Sequence, residues 1–219
     1  MKAWKKVLSA AITGIMVLAL AGCSSVKFEP TESSIFVKKD KTVVSAEMVS
    51  VDNSEFDTPR YDENEMKTFL ETAVKEYNKE ACGQDFAYAK DTKEALNISI
   101  EEFKVENKVA AARLNYASSE DYLKFNGTED SGSVKDLIIG TVADGISSGL
   151  DFSGMVNADG SAAGVEEIQK NTKYSLVAIT GPARMMVEGK VRYMSSGVTL
   201  ADESTVVTSG DETVYIIFK

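Results

Sequence analysis

The sequence predicts an α+β fold: antiparallel sheet carrying one long amphipathic helix and several short helices packed on one face, with a β-rich C-terminal part. Three observations carry this reading. Met66, Phe69, Leu70, Ala73, Val74 and Tyr77 recur at helical spacing and draw a single apolar stripe. Leu96, Ile98 and Ile100 alternate with polar residues, and Ala110, Ala112, Leu114 and Tyr116 do so again. From Arg184 onward the chain is a series of short β-forming runs separated by turn residues.

The first element is a leader, not part of the fold. Lys2, Lys5 and Lys6 precede an apolar run from Val7 to Leu20, too short to span a bilayer but suited to a secretory signal. The run ends in Leu20-Ala21-Gly22-Cys23. This tetrapeptide resembles the lipobox of bacterial lipoproteins. The resemblance implies that the Cys23 thiol takes a diacylglyceryl group, that the chain is cut before Cys23, and that the new amino terminus is acylated. The thiolate is the nucleophile such chemistry needs, and two or three acyl chains suffice for stable membrane attachment.

With residues 1–22 removed, 197 of the 219 residues remain, enough for one domain or two small ones. The net charge is −10, and three of the lysines belong to the leader, so the mature chain stands near −13. Such a surface repels nucleic acid and anionic polymers. With Cys23 lipidated, Cys82 is the remaining thiol and no internal disulfide can form. Cys82 is read as a partly buried cysteine near a helix end.

Residues 24–34 are polar and read as a short tether, after which 35–219 is expected to form a single domain, with a possible sub-boundary near 128–133. Ile35–Val37 and Thr42–Val49 are strands meeting at an Asp40-Lys41 turn. Asp62 and Glu65 make an Asp-x-x-Glu cap for the long helix, Glu71 and Lys75 are spaced for an exposed pair, and Gly83 stops it. Glu106-Asn107-Lys108 turns the next hairpin. Ser118 or Ser119 caps a short helix that turns Tyr122 and Phe125 inward. After a polar loop at 128–133, Thr141 caps another short helix with Val142 and Ile146 inward, although Gly145 weakens it. Phe152–Val156 reads as a strand, Val165–Gln169 as a helical turn and Tyr174–Thr180 as a strand. Strands follow at 184–188, 190–194, 198–200, 205–208 and 213–218.

The chain contains no histidine, so a Ser-His-Asp or Cys-His triad and the usual catalytic zinc sites are excluded. A pair of carboxylates for glycosidic hydrolysis follows no local spacing rule and remains open. Asn157, Asp159, Gly160 and Glu166 match four positions of a calcium loop, but Met155 stands where its first carboxylate belongs. An Asp-Gly turn explains these residues more simply. The single tryptophan, Trp4, leaves with the leader, so no tryptophan platform for sugars exists. Tyr77, Tyr116 and Tyr122, and the methionines 185, 186 and 194, are assigned to packing. No residue pattern asks for a cofactor.

Beyond the anchor, Ser34-Ile35-Phe36-Val37, Tyr77-Asn78-Lys79-Glu80, Tyr116-Ala117-Ser118, Phe125-Asn126-Gly127 and the tail from Val214 to Lys219 resemble uncharacterised lipoproteins of Gram-positive gut anaerobes. That resemblance implies an address, the outer face of a cell membrane, and no activity. The expectation is a non-enzymatic extracytoplasmic domain, held by lipid, that binds a protein partner at the cell surface and no nucleic acid. Two alternatives stay open: a solute-binding lipoprotein serving a transporter, and a surface hydrolase using carboxylates.

Overall fold

The computed structural model describes residues 27–52, 61–128 and 133–219. Among these residues the architecture is mixed helix and sheet: two sheets of largely antiparallel strands, four α-helices and a strand-rich C-terminal part. The chain divides into two compact units. One takes residues up to Ser34 together with Val43–Asn126, and the other takes Ile35–Thr42 with Gly127–Lys219. Among the described residues no helix is long and apolar enough to cross a membrane.

In the first unit, β2 (Val43–Ser50), β4 (Val109–Tyr116) and β3 (Ile98–Glu106) lie side by side in that order, each antiparallel to its neighbour. The predicted hairpin turn reduces to Asn107 and Lys108, both with positive φ, the two-residue geometry that matches strand twist. β4 is buried along both faces, and the small Ala110, Ala111 and Ala112 suit such a central strand. Leu96, expected to begin β3, lies before it.

Helix α1 (Glu63–Cys82) starts where Asp62 accepts a hydrogen bond from the Glu65 N–H at 2.9 Å, and it ends at Gly83 in the left-handed conformation. Leu70 and Val74 are buried, Met66, Ala73 and Tyr77 are half-buried, and Phe69 is exposed. The buried band is therefore narrower than the sequence stripe. Glu71 accepts from the Tyr88 hydroxyl at 2.7 Å in place of the expected partnership with Lys75.

The helix is fastened by Asn78, which is fully buried. Its amide nitrogen donates to Phe86 O at 2.8 Å and Ile98 O at 2.7 Å, and its oxygen accepts from the Ile98 N–H at 2.9 Å. A side-chain amide here does for β3 what a neighbouring strand would do. The following loop continues the ladder, with Ile100 N–H donating to Ala87 O. Beyond a 3-10 turn at Ala89–Asp91, the unit closes with α2 (Ser119–Asn126), which buries Tyr122 and Phe125. Asp121 there accepts from Tyr77, Asn97 and Ser118. Burial and the Asp121 carboxylate both hold the Tyr77 phenol well above its ordinary pKa.

The polar stretch read as a tether is partly built into this unit. Phe28 is buried, and the Ser33 hydroxyl both accepts from Met48 N and donates to Met48 O.

In the second unit, β1 (Ser34–Val37) runs parallel to β8 (Ala183–Val187), which pairs with β11 (Thr205–Thr208), and that strand with β10 (Thr199–Leu200). Five further strands lie in the order β5 (Asp136–Thr141), β7 (Ser175–Thr180), β12 (Thr213–Phe218), β9 (Val191–Ser195) and β6 (Met155–Asn157). One face of that sheet buries Leu137, Val177, Ile179, Ile216 and Phe218. The other carries Leu176, Ile217, Tyr193 and Met155, covered by α3 (Val142–Ser147) and α4 (Val165–Lys170). The predicted strand 152–156 starts only at Met155, because Asp151 and Ser153 form a side-chain-bonded turn that turns Phe152 into the core.

Replacing Asn78 by Ala should cost about 2–4 kcal/mol, since it strands the N–H and C=O of Ile98. Asn78→Asp should cost more: an ionised carboxylate has no proton for Phe86 O or Ile98 O. Urea denaturation of the two variants measures both. In the second unit, Gly189 has φ 150°, and a Cβ there would stand 2.2 Å from Lys219 O. Gly189→Ala should lower the thermal midpoint by several degrees in a calorimeter.

Candidate functional site

An opening in the second unit lies on the half of the five-stranded sheet that α3 leaves uncovered. It is an open groove of about 410 Å³. Strand alternation sets its floor: Asp136, Ile138 and Gly140 of β5, Leu176 and Ala178 of β7, and Thr213 and Tyr215 of β12 all lie on one face. Ser148, Gly149 and Leu150, after α3, form the wall.

Two glycines shape it. A Cβ on Gly145 would meet Leu176 at 2.8 Å and Phe152 at 3.2 Å, so the glycine that weakened the helix expectation lets α3 seat closely on the sheet. Gly140 leaves the space beside the Asp144 carboxylate. Ile146, expected inward, is instead 40% exposed, and Val142 and Gly145 are the buried positions of α3. Ile138 is 59% exposed at the edge of the groove.

The polar groups of the groove are largely engaged in local bonds. Thr141 and Asp144 form a reciprocal cap, with Asp144 N donating to Thr141 Oγ1 and Asp144 Oδ2 accepting from Thr141 N and Oγ1. The bond from the Thr141 backbone, then that from its hydroxyl, holds the Asp144 carboxyl below the usual range. A general acid needs the opposite shift. Asp136 accepts from Leu137 N, Ser148 donates to Gly145 O, and the Thr180 and Thr213 hydroxyls bond each other. The result is a half-apolar trough with fixed polar rims.

Other residues singled out in the sequence lie elsewhere. Leu20, Ala21, Gly22 and Cys23 fall outside the described residues. Cys82 is exposed, contrary to expectation, because it lies at the end of α1, where its thiol donates back to Asn78 O. Asn157 donates to Ser161 and Ala162, and Asp159 accepts from Ser161 N and Oγ within a turn closed by Gly160 N to Asn157 O. Glu166 sits in the first turn of α4. Among the described residues no group of three or more Asp, Glu, Cys or His is placed to share a cation.

The sequence reading missed a device repeated four times in this unit. Asp40, Asp151, Asp159 and Asp202 each accept both the backbone N–H and the hydroxyl of the Thr or Ser two residues on. The signal was present as Asp-x-Ser/Thr.

A scan of protein-family models, a search of curated proteins and a search of solved structures each find no match to the chain.

The repeated turns predict an acid response. At Asp151 the lowering comes from the backbone and then the hydroxyl of Ser153, and at Asp159 from the hydroxyl and then the backbone of Ser161. At Asp40 and Asp202 burial pulls upward, but the hydrogen bonds outweigh it. A carboxyl with a folded pKa below its unfolded value of about 4 stabilises fully above that pH and loses its contribution as pH falls through the folded value. The thermal midpoint should therefore hold from pH 7 to about 5 and fall below about 4. A doubly substituted Asp159→Ala, Asp202→Ala protein should show a shallower fall in calorimetry.

Proposed function

We propose that the chain is a lipoprotein anchored through Cys23 at the extracytoplasmic face of the cell membrane, where its domain binds a protein partner and catalyses no reaction. Leu20-Ala21-Gly22-Cys23 after the basic, apolar leader carries the reading. The groove supports the binding part: its floor is apolar at Ile138, Leu176 and Ala178, while the Ser148 and Thr213 hydroxyls and Asp144 are occupied with local bonds. In this reading α1 is the long amphipathic helix, laying Leu70 and Val74 toward the sheet beside Asn78, and the short helices cover one face of each sheet.

Ile138 is the natural point of contact, because an exposed isoleucine on an end strand adds apolar area and leaves a backbone edge beside it. A solute-receptor reading has one observation in its favour, a groove volume within the range of small-molecule sites. A rise in melting temperature with a metabolite would move the assignment that way.

Cys23→Ala should release the protein from membranes or leave the precursor uncut, with the melting temperature unchanged, as followed by fractionation and calorimetry. Ile138→Asp should abolish recovery of a stoichiometric partner from detergent-solubilised membranes. Phe69→Asp, at another exposed apolar residue in the first unit, should retain it. Both changes should alter stability by less than about 0.5 kcal/mol, as expected at exposed positions. If both variants recover the same partner as wild type, the groove is not the binding surface.

A further inference from the structure

A lipid anchor is usually pictured with a spacer, and the sequence supplies a polar stretch to residue 34 that fits that picture. The structure removes most of it. Phe28 is 1% exposed, so the chain enters the first unit at that residue. Five residues later the Ser33 hydroxyl engages both the N–H and the carbonyl of Met48, and Ser34 donates to Glu32 O. Residues 28–34 therefore belong to the fold and cannot pay out as tether without giving up a buried aromatic ring and these bonds.

Four residues, Ser24 to Lys27, separate Cys23 from Phe28. Whatever conformation they take, five Cα steps reach no farther than about 17 Å. That is roughly half the thickness of a bilayer's apolar core.

We infer that the anchor is a short leash, which holds the first unit directly at the lipid surface with the Phe28 Cα within about 17 Å of the Cα of lipidated Cys23. This rests on the lipobox reading of Cys23. The hold is covalent in origin and not adhesive, since a mature chain near −13 gains nothing by lying on anionic headgroups. Its consequence for recognition is one of reach. A partner presented at the membrane surface meets the first unit at high local concentration, whereas one well out from the lipid lies beyond the leash.

Lys27 is exposed and precedes the fold, so an insertion after it leaves every described contact in place. The test uses the lipidated full-length mature protein on a supported bilayer of phosphatidylcholine with a minority of phosphatidylglycerol. Neutron reflectometry reads the water layer between headgroups and protein. The wild type should show a gap no wider than about 17 Å. A protein with about twenty Gly and Ser residues inserted between Lys27 and Phe28 should widen it by about 10 Å or more. A wild-type gap beyond about 20 Å, or no change on insertion, overturns the leash. Failure of the mature protein to enter a detergent phase, with the Cys23→Ala protein behaving identically, overturns the anchor reading itself and is distinguishable from either result.

Discussion

A single buried amide holds the first unit in register. The Asn78 side chain bonds both the N–H and the C=O of Ile98, and in doing so it stands in for a missing strand at the edge of β3. Helix position is fixed by that exchange, because a carboxamide can donate to Ile98 O and Phe86 O while accepting from Ile98 N only in one placement. Val74 and Leu70, one and two turns before it, then fall on the buried side. Tyr77, next to it, is brought to Asp121, where Asn97 and Ser118 also converge. The helix stops five residues later at Gly83, and the returning chain supplies Ala87 O to Ile100 N. An apolar residue at 78 would bury as well and specify none of this.

The second unit is built by a different economy. Five of its aspartates are tied into turns and caps: Asp40, Asp151, Asp159 and Asp202 to hydroxyl residues two positions on, Asp144 to Thr141. Carboxylates committed in this way are ionised, local and structural. What remains open is the trough beside β5, kept free by Gly140 and walled by the loop after α3, with Ile138 at its rim. The two units thus differ in construction: the first stitches in residues 28–34, and the second leaves a groove open.

Much of this was legible in the sequence, and the gaps have physical causes. Capping residues, hairpin alternation and the stop at Gly83 are local, and the positions of Asp62, Thr141, Asn107 and Gly83 could be read directly. Burial depends on tertiary partners. Phe69 and Ile146 fit helical stripes but are exposed, because periodicity draws the stripe without knowing how much of it a neighbouring element covers. Phe152 looked like the start of a strand until Asp151 and Ser153 closed a turn around it. Asn78 gave no signal at all, since a polar residue on a helix reads as solvated until the strand that needs it is in place. The groove was equally invisible: it is made by what Gly140 and Gly145 lack, and by residues that meet only through pairing of β5, β7 and β12.

Lipidation of Cys23 is the central proposal, and the chemical state of that residue is its most direct test. Tryptic digestion of the membrane-extracted protein, followed by mass spectrometry, reads the first peptide of the mature chain. The expected species is Cys23 to Lys27 carrying a thioether-linked diacylglyceryl group, with or without a further acyl chain on its amino terminus. A peptide with an unmodified thiol at Cys23, or one that continues through an intact Gly22-Cys23 bond, would contradict it.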